Sequence, residues 1–406
     1  MHLKEREHMR VGYYQKNITP QEPVYMAGYN RKDKSRGVLD EILLNTLVWD
    51  INHQKIVFVI IDAIMLEKKF CDDLRNDIHR KFDIKMNNIF ISCIHTHSAP
   101  AYFQLIWEDT IVEEGLLIDL YYQSIHSVEK ALIHLRDCQV NLKKCIIEGL
   151  YGNRNNKEGW SDKSVYVFEF VDQNEVICQF INIAVHPTIL NGENHLLSSD
   201  LLGAVRRQYQ NITQVPTLIC NGATGDVSTR FYRQYSGVKE LKRVSHEIVE
   251  QMLKTSQYIF KNKVYQTFRT TQTEYVTHSD FSKDNVTITT LQSHNQDPML
   301  NFFKERCKRK LALNEFDLLM NSITIQLGQI FIISLPGDVV SLFAKKIKEV
   351  FINYEVILIC YTNNYCNYLV PEEEYGKYFE TFNSRCMKGE ADNFINKVIQ
   401  NTKSLL

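Results

Sequence analysis

Three observations predict an α/β fold in which mixed β-sheets are flanked by helices. Along most of the 406 residues, short apolar runs rich in β-branched side chains alternate with longer amphipathic stretches. Hydrophobic residues make up 44% and charged residues 23%, the balance of a chain that buries a core. Gly (16) and Pro (8) together reach about half of their usual share of roughly 12%, so most of the chain is expected in regular structure. One domain over residues 1–406 is expected, carrying a polar surface insertion at about 278–316.

The elements follow in order. Leu43 to Asp50 and Lys55 to Ile61, separated by Asn52-His53-Gln54, read as a hairpin. Leu66 to Phe82 mixes polar and apolar residues as a helix does, and the apolar run Asn88 to Ile94 reads as a buried strand. A helix over Val112 to Leu135 precedes strands at Gln139 to Glu148, Ser164 to Val171 and Val176 to Val185. Ser199 to Gln210 reads as a helix and Thr217 to Cys220 as a strand. Val238, Leu241, Val244, Ile248 and Met252 share one face of a helix over Val238 to Leu253. Residues 262–277 alternate as a strand, while 278–316 is polar with little period. Strands at Ser322 to Leu327, Ile330 to Leu335 and Val356 to Cys360 follow, with a helix beginning near Asp338.

Composition also excludes classes of function. Lys plus Arg is 47 against 48 for Asp plus Glu, a net charge of -1, so no basic excess exists to neutralise a phosphate backbone and no nucleic-acid partner is expected. The longest apolar run, Ile56 to Leu66, is broken by Asp62 and falls short of the roughly 18–20 residues of a membrane helix, so no transmembrane segment is expected. The opening MHLKEREHMR has no apolar core or cleavage site. The ten cysteines contain no C-x-x-C pair and read as reduced, mostly buried thiols. A cytoplasmic location is expected.

Several motifs carry chemistry. His95 and His97 in Ile94-His95-Thr96-His97-Ser98 leave the end of a buried strand, where residues two apart point the same way, a pattern that suits either a metal site or hydrogen-bonded core histidines. His186 ends the run Phe180 to Val185 just before Pro187, in the same placement. The turn Cys220 to Ser228 holds two glycines and presents a hydroxyl, but it is neither a G-x-S-x-G elbow nor a Walker A loop. A plain glycine turn is the competing reading. Arg154, in the turn-rich Tyr151 to Asn156, either binds an oxyanion or is simply solvated. Asp338 either ligates or caps the helix that follows. The stretch from Tyr361 to Tyr378 is dense in tyrosine and glutamate, as a pocket or an interface would be.

In this order the pieces resemble the N-terminal catalytic domain of the neutral/alkaline (non-lysosomal) ceramidase family, over nearly the whole chain. Val11-Gly12 to Pro20 with Met26 to Tyr29 resembles the family's first strand and glycine turn, and Arg36 to Asp40 the segment after it. His95 to Ser98 resembles its HTHSGPGG motif, Asn153-Arg154 its Asn-Arg turn, Ala184-Val185-His186 its second metal histidine, and Gly225 to Ser228 its serine motif. The resemblance implies a Zn2+ cofactor held by His95, His186, Asp338 and Tyr368, with His97, Arg154 and Ser228 facing a lipid-like or other small acyl-amide substrate. The implied reaction is hydrolysis of an N-acyl amide bond. Zinc would polarise the carbonyl or its own water, His97 and Arg154 would donate to the oxyanion, and Ser228 would be either the nucleophile or a partner of water.

Departures from the family pattern bear on the substrate. Asp338 stands where the family has a glutamate, Ala99 and Ala101 where it has glycines, and Thr229-Arg230 where it has Pro-Asn. A second catalytic tyrosine is replaced by Phe379, or by Tyr378 if the register slips by one residue. The sequence ends at Leu406, so the appended immunoglobulin-like domain of larger relatives is not expected, and a substrate other than ceramide is. An esterase or acyl transferase on the same site, or a non-catalytic metal- and ligand-binding protein, is the alternative reading.

Overall fold

The computed structural model describes residues 8–294 and 297–406; the remainder of the charged N-terminal stretch lies outside the described residues. Three sheets carry the architecture. The first runs in the order Ile89–Cys93, Gln54–Ile61, Leu43–Ile51, Met9–Asn17, Arg136–Asp137, and the second Thr217–Asn221, Glu175–Ile183, Ser164–Asp172, Gln139–Ile146, Gln257–Lys263. The third runs Arg269–Asp280, Glu315–Leu327, Ile330–Ser334, Glu355–Ile359. The α/β class expected from the pattern is what the chain adopts.

Each sheet is antiparallel except at one edge, where a single parallel pair is made by a strand, a crossover helix and a second strand. In the first sheet Gln54–Ile61 pairs parallel with Ile89–Cys93 across the helix Lys68–Phe82. In the second, Glu175–Ile183 pairs with Thr217–Asn221 across Asp200–Thr213; in the third, Ile330–Ser334 pairs with Glu355–Ile359 across Ser341–Val350. The continuous apolar runs of these strands follow from this placement, because a parallel pair covered by its crossover helix is buried on both faces. Chains leave such pairs at their carboxyl ends, which is where crevices open in α/β sheets.

The three parallel edges meet, and Asn221 joins them. Its Nδ2 donates to the Ile94 carbonyl beyond the first sheet (3.2 Å), its Oδ1 accepts from the Val185 amide (3.4 Å), and its own carbonyl accepts from the Cys360 amide beyond the third (2.9 Å). Asn182 Nδ2 donates to the Leu358 carbonyl at 2.8 Å, a second tie between the second and third sheets. Behind the first edge, Asp62 receives both terminal nitrogens of fully buried Arg206 at 2.8 and 2.7 Å, fixing a crossover helix to the strand end.

Several boundaries differ from the sequence reading. The expected strand over 262–277 is two strands, Gln257–Lys263 on the edge of the second sheet and Arg269–Asp280 in the third. Residues 278–316 are not an aperiodic surface excursion. They complete Arg269–Asp280, form the helices Asn285–Gln292 and Pro298–Leu311, and enter Glu315–Leu327, seven residues earlier than expected at Ser322. The helix expected from Asp338 begins at Ser341. All ten cysteines are buried and free, and among the described residues no helix is long and apolar enough to cross a membrane.

Because Asn221 satisfies buried backbone groups on two other segments, Asn221→Ala strands the Ile94 carbonyl and the Val185 amide without partners. Each such group costs about 1–3 kcal/mol, so the variant is expected to lose roughly 2–4 kcal/mol of unfolding free energy in urea titrations. An unchanged midpoint would show that the sheets are not joined through this side chain.

Candidate metal centre and its cavity

The site is assembled from segments that leave the three parallel edges. Just beyond Ile89–Cys93 the chain turns at His95, whose φ of 69° is the left-handed region that a β-carbon disfavours; its amide is held on the Ala63 carbonyl at 2.9 Å. The ring stacks on Tyr361 (4.3 Å between centroids, 15°) and places Nδ1 2.5 Å from the Ile64 carbonyl. His97 Nδ1 meets the Gly28 carbonyl at 3.0 Å. Gly28 has a φ of 110°, and a β-carbon there would sit 2.7 Å from that of His97, so only glycine lets the chain turn under the ring.

His186 leaves Glu175–Ile183 with its amide on the Val227 carbonyl (3.0 Å) and its Nδ1 3.2 Å from the Thr224 carbonyl. Asp338 lies in the two-residue strand Asp338–Val339, paired parallel with Tyr368–Leu369 beyond the third edge. Its carboxylate accepts from Tyr361 (2.9 Å) and Tyr365 (2.6 Å). The carboxylate does not cap the following helix: that role falls to Asp226, which accepts from the Ser341 amide at 2.7 Å.

These placements converge. His95 Nε2 lies 3.2 Å from His97 Nε2 and 3.3 Å from Asp338 Oδ1, and His186 Nδ1 lies 3.9 Å from the same oxygen. The ligand atoms of His95, His97 and His186 all fall within 4.8 Å of one another. Burial pushes His95 and His97 down to about 3, His95 adding to the effect on His97, and pushes His186 well down too, so all three rings are neutral at physiological pH. Burial pushes the Asp338 carboxyl up, against the two tyrosine hydroxyls that hold its charged form.

With Nδ1–H of each ring directed to a backbone carbonyl, the Nε2 atoms of His95 and His97 face each other as lone pairs at 3.2 Å, which is unfavourable without a cation between them. Neutral imidazoles oriented by carbonyls, beside a buried carboxylate, are the donor set of a divalent metal site, and the residues fit one. His97, expected to face substrate only, also belongs to this histidine group.

A cavity of about 720 Å³ opens over the group, with His97, His186, Arg154 and Tyr368 among its lining residues. Tyr368 stands beside Arg154, whose Nη2 donates to its hydroxyl at 3.2 Å; the tyrosines touching the Asp338 carboxylate are Tyr361 and Tyr365. Arg154 Nε donates to Glu380 at 2.8 Å, both side chains being largely enclosed. Ser228 is buried, and its hydroxyl accepts from the Arg230 amide at 3.2 Å; no hydrogen bond to a histidine is seen among the described residues. Tyr378 does not line the cavity. Phe379 does, its ring facing the Arg154 guanidinium at 5.7 Å, and Glu380 from the same segment accepts from Arg154.

Sequence reasoning missed the opposite wall. Phe302, Arg306 and Arg309 come from the helix Pro298–Leu311, in the stretch read as a surface excursion. The signal was present: Asp297-Pro298 is a cap followed by proline in the first turn, and Asp297 accepts from the Met299 amide at 2.7 Å.

Residues 9–224, more than half of the chain, match the N-terminal domain of the neutral/alkaline non-lysosomal ceramidases. The chain belongs to this family. Neutral ceramidase of Drosophila melanogaster is 26% identical over 258 residues, covering 54% of this chain and 36% of that protein; its counterpart in Drosophila pseudoobscura pseudoobscura is 25% identical over the same coverage. The matched part thus spans little more than a third of the length of these relatives. Among solved structures, neutral ceramidase from Pseudomonas aeruginosa superposes with a TM-score of 0.73 at 14% identity, covering 99% of this chain and 75% of that one. A ceramidase complexed with C2 gives 0.72 at 14%, covering 98% and 76%. At such identity the likeness establishes the ceramidase fold.

The depressed imidazoles make a signed prediction for the metal-free protein. An unfolded chain takes up protons on these histidines near pH 6.5 while the folded one does not, so stability present above that pH is lost as pH falls through it toward about 3. The slope is at most about 1.4 kcal/mol per pH unit for each ring. Urea midpoints of chelator-treated protein are expected to fall between pH 6.5 and 5, and less steeply in His186→Gln. Equal slopes would mean that His186 is not held neutral by the fold.

Proposed function

We propose that this chain is a zinc-dependent hydrolase of N-acyl amides. The observation that carries the reading is the buried group of His95, His97, His186 and Asp338 at the floor of a cavity that Arg154 also lines, in a chain of the ceramidase family. His95, His186 and Asp338 would hold the ion, with Tyr368 completing the set from the cavity side. Bound zinc supplies Lewis acidity to the scissile carbonyl and lowers the pKa of water in its shell.

The chain's own groups have separable tasks. Tyr361 and Tyr365 donate to both oxygens of the Asp338 carboxylate and favour its charged form against the burial that raises its pKa. Arg154, aimed by Glu380 and Tyr368, offers a permanently charged donor to the oxyanion that develops during amide attack. His97 is neutral in the metal-free protein and can accept a proton on Nε2 or donate one once protonated. Ser228 sits beside this machinery through the strand Val227–Ser228, which pairs with Gly152–Asn153 directly before Arg154, and it serves as nucleophile or orients the attacking water. Ten unpaired buried cysteines support a reducing, cytosolic setting for this activity.

Elemental analysis of the purified protein, paired with turnover of N-dodecanoyl amides and the matching esters, tests the reading. About one zinc per chain is expected, together with amide cleavage. Asp338→Ala and His186→Ala are expected to lose the metal and at least a hundredfold in kcat, and Arg154→Gln to lose activity while keeping the metal. Full zinc in both ligand variants would sink the assignment, and cleavage of esters alone would make the protein an esterase.

A further inference from the structure

The cavity carries positive charge that amide hydrolysis does not need. Four arginines line it: Arg154, Arg233, Arg306 and Arg309. Two of them are neutralised. Arg154 pairs with Glu380, and Arg309 meets Asp109 through both terminal nitrogens at 3.2 and 3.0 Å.

The other two have no carboxylate within 4.0 Å among the described residues, and neutral acceptors orient both of them. Arg306, half-buried, donates from Nη1 to the Trp107 carbonyl (3.0 Å) and lies over the Phe302 ring. Arg233 donates from Nε to Thr229 Oγ1 (2.9 Å) and from Nη2 to the Thr188 carbonyl (2.6 Å). Behind Tyr29, buried Arg31 bonds only to the carbonyls of Ala27, His97 and Asn191, and its Nε has no acceptor.

Two further carboxylates line the cavity, Glu108 and Glu305, and both support the charge of Arg306 without pairing with it directly. Glu108 has one carboxylate oxygen committed to the Gly28 amide (3.0 Å) and the Thr110 hydroxyl (3.1 Å). Glu305 is shared between Lys308 and Arg309, 3.8 Å from each. Burial works against the charge of both Arg31 and Arg306. Arg233 is exposed at the cavity rim and Arg306 half-buried; guanidinium groups oriented by neutral acceptors, with part of each fork left open, are the arrangement that takes up a carboxylate or similar oxyanion. The stacked rings of Phe302 and Phe379 (5.5 Å between centroids), with Trp107 and Tyr29, supply apolar surface for an acyl or alkyl chain.

We infer that the cavity selects an amide bearing an anionic group, carboxylate or sulfonate, that docks on Arg306 and Arg233 while the amide bond lies over the histidine group. The inference rests on the hydrolase reading of the same site, and it assigns the helix Pro298–Leu311 the role of substrate selection.

The test uses the metal-replete full chain and three amides of matched length. N-dodecanoylglycine carries the anion on the amine side, the mono-dodecylamide of succinic acid carries it on the acyl side, and N-dodecanoylethanolamine is neutral. Binding is measured by calorimetry whether or not the compound is cleaved, and hydrolysis is measured separately. At least one anionic amide is expected to bind tenfold or more tightly than the neutral one, with affinity falling as salt rises. That preference is expected to collapse in Arg306→Gln and Arg233→Gln and to be partly kept in Arg306→Lys. Whichever anionic amide is preferred identifies the side of the bond that faces the arginines. Equal affinity for all three compounds, or a preference that survives both glutamine variants, overturns the inference. Absence of cleavage of every compound would defeat the hydrolase reading alone, because binding still decides the anion site.

Discussion

The contact on which the site depends is the meeting of three parallel strand edges around Asn221. A single edge delivers one functional segment; three edges joined at their carboxyl ends deliver His95, His186 and Asp338 to one point. The convergence also explains the electrostatics. Because the edges are buried on both faces, the groups emerging from them enter a region of low polarizability, where imidazoles stay neutral and a carboxyl resists ionisation. Two tyrosine hydroxyls offset part of the carboxylate's cost, and a divalent ion between facing nitrogen lone pairs would offset the rest.

The helices inserted between the strands of the third sheet belong to the same construction. Lys310, fully buried at the end of Pro298–Leu311, donates to the Thr381 carbonyl at 2.9 Å and the Tyr375 hydroxyl at 3.3 Å and lies 3.5 Å from Asp284, which accepts from Tyr375 at 2.7 Å. A buried ammonium tied to three partners is costly to displace. It fastens the cavity wall to the segment that carries Phe379 and Glu380, so the groups that shape the cavity and the carboxylate that orients Arg154 move as one unit.

What could be read from the sequence follows from where the signal is local. The hairpin over Leu43–Ile51 and Gln54–Ile61 announces itself through its apolar runs, and the histidine pair through its spacing after a buried strand. Gln257–Lys263 is a largely exposed edge strand whose apolar run, Tyr258-Ile259-Phe260, is too short to show a period, so its pairing with Gln139–Ile146 is what reveals it. The helix after Asp338 starts three residues late because its cap, Asp226, lies 115 residues away in sequence. Glu380 as the partner of Arg154 is a contact between residues 226 apart, beyond any local pattern.

Backbone packing sets the position of Asp338. The resemblance placed a glutamate here, and a side chain one methylene shorter either stands on a backbone closer to the histidines or serves the site differently. Backbone from two sides presses on this strand. A β-carbon on Gly225 would lie 2.9 Å from the Asp338 carbonyl oxygen, and the Gly225 amide bonds to the Val339 carbonyl at 2.9 Å. Gly337 has a φ of 141°, and a β-carbon on it would come within 2.4 Å of the Asn367 carbonyl. The strand can occupy this narrow slot only because both flanking positions lack side chains, and from it the aspartate reaches 3.3 Å from His95 Nε2. The packing of two glycines against this strand thus fixes where the carboxylate stands and keeps it within reach of the imidazoles.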